Sequence, residues 1–117
     1  MGMSVIGYDL ERLVANTRGL IQVRKADLRA GDYIFVLTSN SVYSIRVQPG
    51  GVYVVSGGWF DRKGLSPTRT TIAGCTWGGS VIKVDIVAAR GLCLEFGNRL
   101  ITSTIRNVFL LTQERHN

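Results

Sequence analysis

"YIFVLTSNSVYSIRVQPGGVYVVS", Tyr33 to Ser56, is the stretch that decides the fold class. Its first run, "YIFVLT", is apolar at nearly every position and rich in the branched and aromatic side chains that suit a pleated surface. The next run, "SVYSIRV", alternates. Tyr43, Ile45 and Val47 fall on one face and Ser44 and Arg46 on the other, as expected of a strand with one wet side. Pro49-Gly50-Gly51 then supplies a turn, and "VYVVS" is again apolar on both faces. Three strands joined by two short turns predict an antiparallel meander.

Working outward, "LIQVR" reads as a strand before the turn "DLRAGD", and "GGWFDRKGLSPTR" as the longest loop, ending where "TTIAG" resumes strand character. In "VIKVDIV" and "LCLEF", Ile82, Val84 and Ile86 share one face, as do Leu92, Leu94 and Phe96. A three-residue turn, Ala89-Arg90-Gly91, pairs Ile86 with Leu94 and Val84 with Phe96, and sets Asp85 opposite Glu95. Gly97-Asn98 marks a further tight hairpin. Only the N-terminus has helical periodicity: Asp9 as cap, Leu10, Leu13 and Val14 on one face, and Gly19 as terminator predict a helix over residues 9 to 18. The reading is all-β, a small antiparallel β-barrel or sandwich with one N-terminal helix. Residues 1–19 form a helical segment packed on a single β-domain of residues 20–117.

At 117 residues, 45% hydrophobic and 19% charged, the chain suits one globular domain with its own core. Its first residues lack the basic and apolar regions of a signal peptide, no apolar run reaches a membrane-spanning length, and a cytoplasmic location is expected. Cys75 and Cys93 form no C-x-x-C and are read as reduced, small hydrophobic residues. The net charge of +6 is spread along the chain, with a local concentration at Arg62, Lys63 and Arg69.

"GCTWGGSV", Gly74 to Val81, has the glycine spacing of a phosphate-binding Walker loop without its Lys and Ser/Thr. The strand period that follows removes the helix N-terminus such a loop needs. Gly78-Gly79, like Gly57-Gly58, is expected to provide a bend or a close approach of backbones. With Asn40-Ser41 before Tyr43, Gly57-Gly58 before Phe60, Gly78-Gly79-Ser80 before Lys83 and Thr102-Ser103 before the last strand, Thr38 to Ile105 resembles a family of short bacterial all-β proteins. That resemblance implies a fold and no activity.

Catalytic chemistry is poorly supplied. The single histidine, His116, stands one residue from the end, so neither a Ser/His or Cys/His arrangement nor a tetrahedral zinc site has its ligands, and no cofactor is expected. Asp85 and Glu95, as a cross-strand pair, are the candidate acid–base couple, with Lys83 on the same face offering a plain surface charge network instead. The other candidate is a basic and aromatic surface of Trp59, Arg62, Lys63, Arg69 and Trp77, residue types that stack bases and follow phosphates in single-stranded RNA. Against it, tryptophans of small β-domains commonly cover the core. The expected function is a non-catalytic module that binds protein, including a second copy of itself as a homo-oligomer. RNA binding is the alternative, and an enzyme using the Asp/Glu pair a distant third.

Overall fold

In a computed structural model, the structure describes residues 4–5, 8–9, 19–77 and 81–112. Its strands are β1 (Ser4–Val5), β2 (Tyr8–Asp9), β3 (Gln22–Arg24), β4 (Tyr33–Thr38), β5 (Val42–Val47), β6 (Tyr53–Gly57), β7 (Thr68–Thr70), β8 (Ile72–Trp77), β9 (Val81–Lys83), β10 (Ile86–Ala89), β11 (Cys93–Phe96) and β12 (Ile105–Leu111). A short helix, α1 (Gly58–Arg62), follows β6. The strands form antiparallel sheets: five strands in the order β12-β4-β5-β6-β7, three in the order β11-β8-β9, and the pairs β10-β3 and β1-β2. The all-β class holds, as several sheets.

The expected meander is present. Tyr33↔Arg46 and Leu37↔Val42 set one register, Val47↔Tyr53 and Ile45↔Val55 the next. The backbone of Gln48 donates to Val52 across the Pro49-Gly50-Gly51 turn (2.9 Å). β12 then adds to the free side of β4, with Phe109 opposite Phe35. On the inner face Ile34, Val36, Tyr43, Ile45, Tyr53, Val55, Ile105 and Val108 meet Ile72 and Cys75 of β8, Leu94 and Phe96 of β11, and all four buried residues of β10. Each such side chain taken out of water is worth about 1.5–3 kcal/mol. The outer face is buried at its centre as well, where Phe35 and Phe109 pack with Tyr33, Leu37, Val42 and Leu111. Ser44 therefore does not stand on a wet face: it is 1% exposed, beside Phe35, and its hydroxyl has no hydrogen-bond partner among the described residues. Arg46 on the same face is exposed, its guanidinium 5.9 Å from the Tyr33 ring centroid.

Other expectations are corrected. Asp9, expected to cap a helix, lies in β2 opposite Ser4, and residues 10–18 of that helix lie outside the described residues. "VIKVDIV" is two strands and not one. The chain turns at Val84 and Asp85, so that β9 pairs back on β8 (Cys75↔Lys83) while β10 pairs with β3 (Ile86↔Arg24). β11 pairs with β8, placing Glu95 opposite Gly74. The predicted hairpin fails because a matching apolar period shows which face a strand buries and not which neighbour it takes. Gly97-Asn98 does lie in a turn, one residue longer than expected: Phe96 N–H donates to Leu100 (2.9 Å), and Arg99 takes the positive φ of 71°.

Candidate functional site

The stretch from Gly57 to Arg69, expected as loop, is organised by one buried aromatic residue. Phe60 is fully buried and packs edge-on against Phe96 (5.2 Å) and Trp59 (5.3 Å). Burying it curls Gly58–Arg62 into α1. Leu65 N–H donates to Phe60 O (2.8 Å) and Gly64 N–H to Asp61 O (3.0 Å), the two bonds of a Schellman ending. Gly57 enters the turn at φ 99°, where an added Cβ would stand 2.2 Å from Val42 O. Only glycine allows this approach of β6 to β5. The helix could be found in the sequence only from its ending, Gly64 before Leu65, since five residues are too few to show a period.

The five residues proposed as a basic and aromatic surface are not brought together. Trp59 is half-buried against the main core, with its backbone N–H donated to the Tyr43 hydroxyl (3.4 Å). Arg62 and Lys63 are exposed at the end of α1, and Arg69 is exposed on β7 opposite Val54. Trp77 belongs elsewhere. It ends β8, 69% exposed, in an open cleft of about 300 Å³ with Ile21, Gln22, Lys83, Arg90 and Leu92.

Around α1 the structure adds what the sequence does not show. The Arg62 guanidinium donates through Nη1 to Ser41 Oγ (3.1 Å), and Arg106, from β12, donates through Nε to Ser39 Oγ (3.1 Å). Both arginines thus rest on the single turn between β4 and β5. That turn is tied down from below: Ser39 N–H donates to Thr104 O (2.9 Å) and Asn40 N–H to Ser103 Oγ (3.2 Å). An open groove of about 400 Å³ runs beside it, lined by Asn40, Ser41, Val42, Gly58, Asp61 and Arg62. The Asp61 carboxylate accepts the Gly57 N–H (3.0 Å).

The second special place is the β9 edge. Val81 (59% exposed), Ile82 (40%) and Val84 (62%), of which Ile82 and Val84 were expected to face inward, stand in solvent with Trp77 and Ile21 (74%). β9 lies at the margin of its sheet, pairing among the described residues with β8 alone, and Val81 and Ile82, on its opposite faces, are both uncovered. Gly74 makes that pairing close: at φ 147° its Cβ would lie 2.3 Å from Lys83 O. This glycine of the Walker-like spacing serves strand packing. Residues 78–80, with the expected glycine bend, lie outside the described residues.

The candidate acid–base pair loses its geometry. Asp85 is exposed in the turn after β9, its carbonyl accepting Lys25 N–H (2.9 Å), while Glu95 faces Gly74 on β11. Cys75 and Cys93 are free thiols. Leu94↔Cys75 and Cys93↔Thr76 are adjacent pairs in one register, which puts the two sulfurs on opposite faces of the sheet. Burial pushes the Cys75 thiol up to about 11, with Cys93 adding to the rise and a backbone hydrogen bond at Ala89, Lys25 and Lys83 opposing it. His116 lies outside the described residues. Among the described residues no group of three His, Cys, Asp or Glu side chains gathers to hold a metal, and no helix is long and apolar enough to cross a membrane.

Comparison of the chain with protein-family models, with curated proteins and with solved structures finds no match in any of the three. The likeness to short bacterial all-β proteins rests on its glycine and serine pairs alone.

Proposed function

We propose that the protein is a non-catalytic assembly module that joins a second copy of itself through the β9 edge. One observation carries this reading: an apolar strand edge left in solvent. Val81, Ile82 and Val84 are exposed on and beside a margin strand, flanked by Trp77 and Ile21. Such an edge presents a row of backbone donors and acceptors as a template for another strand, and soluble proteins ordinarily blunt it. A copy of the same segment is the simplest complement, because a two-fold axis gives both molecules the same contact. The segment also carries one charge of each sign, Lys83 and Asp85, both exposed.

The test is solution mass by light scattering over a concentration series, for the native chain and for the double variant Ile82→Lys, Val84→Lys. The expected result is a native dimer and a folded, monomeric variant whose melting temperature falls only by what dimer formation adds at that protein concentration. A native chain that remains monomeric at high micromolar concentration would overturn the reading.

A further inference from the structure

We propose that Arg62 and Arg106, held on the Ser39-Asn40-Ser41 turn, form a contact site for the phosphate backbone of single-stranded RNA. The two guanidiniums come from chain positions far apart and converge on hydroxyls two residues apart: Arg62 Nη1 on Ser41 Oγ and Arg106 Nε on Ser39 Oγ, each at 3.1 Å. A surface arginine left to itself samples many rotamers, and holding it costs up to about 2 kcal/mol of side-chain entropy. Here that cost is met before any ligand arrives, because the serines hold both side chains over one turn.

Neither arginine is neutralised. The ion pair between described residues joins Arg24 to Asp27 (3.2 Å) and involves neither of them. Arg62 uses Nη1 and Arg106 uses Nε, so each guanidinium keeps further N–H groups for the forked recognition of a phosphate. The nearby acid is Asp61, which lines the groove and accepts the Gly57 N–H. Its charge disfavours an anion close to Asp61 and favours phosphate on the guanidiniums. Lys63, exposed next to Arg62, extends the positive surface.

The shape selects a polymer. The groove beside the turn is wide and open, without the enclosing walls that give a small anion its affinity, whereas a chain gains from several shallow contacts in succession. Trp59 is half-buried against the core and Trp77 lies in a different sheet, so stacking is not the main contribution. RNA held this way is bound through its backbone, with little preference among bases. This site belongs to the β4–β5 end of the five-stranded sheet and is independent of assembly through β9.

The experiment is fluorescence anisotropy of a labelled 12-nucleotide oligouridylate, titrated with the native chain over a series of salt concentrations. Native protein is expected to bind with a strong dependence on salt. Arg62→Ala and Arg106→Ala should each flatten the logarithmic salt slope by about 0.7, and the double variant by about twice that. Arg24→Ala, which removes an arginine already paired with an acid, should change the slope by less than either. Solution mass and melting temperature are measured on every variant, so loss of assembly or of fold is read separately from loss of RNA. Three results would each overturn the site: no binding at low salt, an unchanged slope in the well-folded double variant, or equal binding of polyglutamate of matching charge.

Discussion

Two of the sheet margins among the described residues, β7 and β9, differ in nearly every respect. At one, β7 presents Thr68, Arg69 and Thr70, and α1, which follows the neighbouring β6, anchors Phe60 and Trp59 in the core. At the other, β9 presents Val81, Ile82 and Lys83, all exposed, and Trp77 beside it is 69% exposed. The first is an edge closed by polar residues and backed by an aromatic cluster. The second has neither device. A chain that protects one margin and leaves the other apolar has not simply failed to bury enough surface, a difference that the assembly proposed at β9 would account for.

The largest expected effect tests the anchor of the closed margin. Phe60→Ala removes the centre of the cluster with Tyr43, Trp59 and Phe96. Truncating a buried phenylalanine costs about 3–5 kcal/mol, with a corresponding fall in melting temperature. Trp59→Ala, half-buried, should cost about half as much. Chemical denaturation of both variants checks this, and a loss below about 1 kcal/mol for Phe60 would mean that α1 is no anchor.

Glycine substitutions sharpen the comparison next. Gly57, where β6 meets β5 one strand in from β7, and Gly74, beneath β9, make the same close approach, to Val42 O and Lys83 O respectively, and alanine at either is strained by about 1–3 kcal/mol before the clash is counted. The consequences should differ. Gly57 joins β6 to α1, so Gly57→Ala should weaken the whole fold and lower the melting temperature. At Gly74 the clash can be relieved by releasing β9 alone. Gly74→Ala is then expected to lose less global stability while Cys75, opposite Lys83 in β8, becomes reactive to thiol reagents. Equal losses of melting temperature, with Cys75 still protected, would show that β9 is as firmly held as β6.

These contrasts also show how far the sequence could be read. The meander was legible because β4, β5 and β6 are neighbours in sequence, separated by short turns with definite residue preferences. Inward positions were legible too: Leu94 and Phe96 are fully buried, as their period requires. What failed was pairing over distance. β10 joins β3, more than sixty residues earlier in the chain, and nothing within "VIKVDIV" names that partner. The error then spread to the candidate site, since Asp85 and Glu95 were opposed only through the assumed hairpin. Trp59 and Trp77 show the same limit, because their identical side chains are told apart only by what folds over them. Arg106 and Ser39, sixty-seven residues apart, left no local sign of their contact.

A smaller effect concerns the chemistry just inside the open margin. Folding holds Cys75 as the neutral thiol, with burial raising its pKa from 9.0 to about 11. The folded value lies above the unfolded one, so this contribution is fully present below pH 9 and is lost as pH rises through about 11. Across that window the unfolded chain releases a proton that the folded chain retains, and stability should fall by up to about 1.4 kcal/mol per pH unit. Buried Tyr53, also raised above 10.0, adds to the decline at the upper end. Cys75→Ala should flatten the profile between pH 9 and 10. If the native profile is already flat there, water reaches Cys75 and β9 does not seal it.

The smallest effect on stability belongs to Trp77. Its ring is 69% exposed, so Trp77→Ala should change the unfolding free energy of the monomer by no more than about 0.5 kcal/mol, in contrast to Trp59→Ala. Its effect on association should be far larger, because aromatic side chains at the middle of an interface commonly contribute 1 kcal/mol or more, and a tenfold weaker dimer corresponds to about 1.4 kcal/mol. Sedimentation equilibrium on the native chain and on Trp77→Ala measures that constant directly. A complementary change at β7, Arg69→Val, removes the charge that blunts the closed edge and should create a second, weaker tendency to associate. Trp77→Ala that leaves dimerisation unchanged would place the contact elsewhere. Arg69→Val that associates as strongly through β7 as the native chain does through β9 would show that a polar edge residue, and not the aromatic anchor behind it, is what keeps the two margins different.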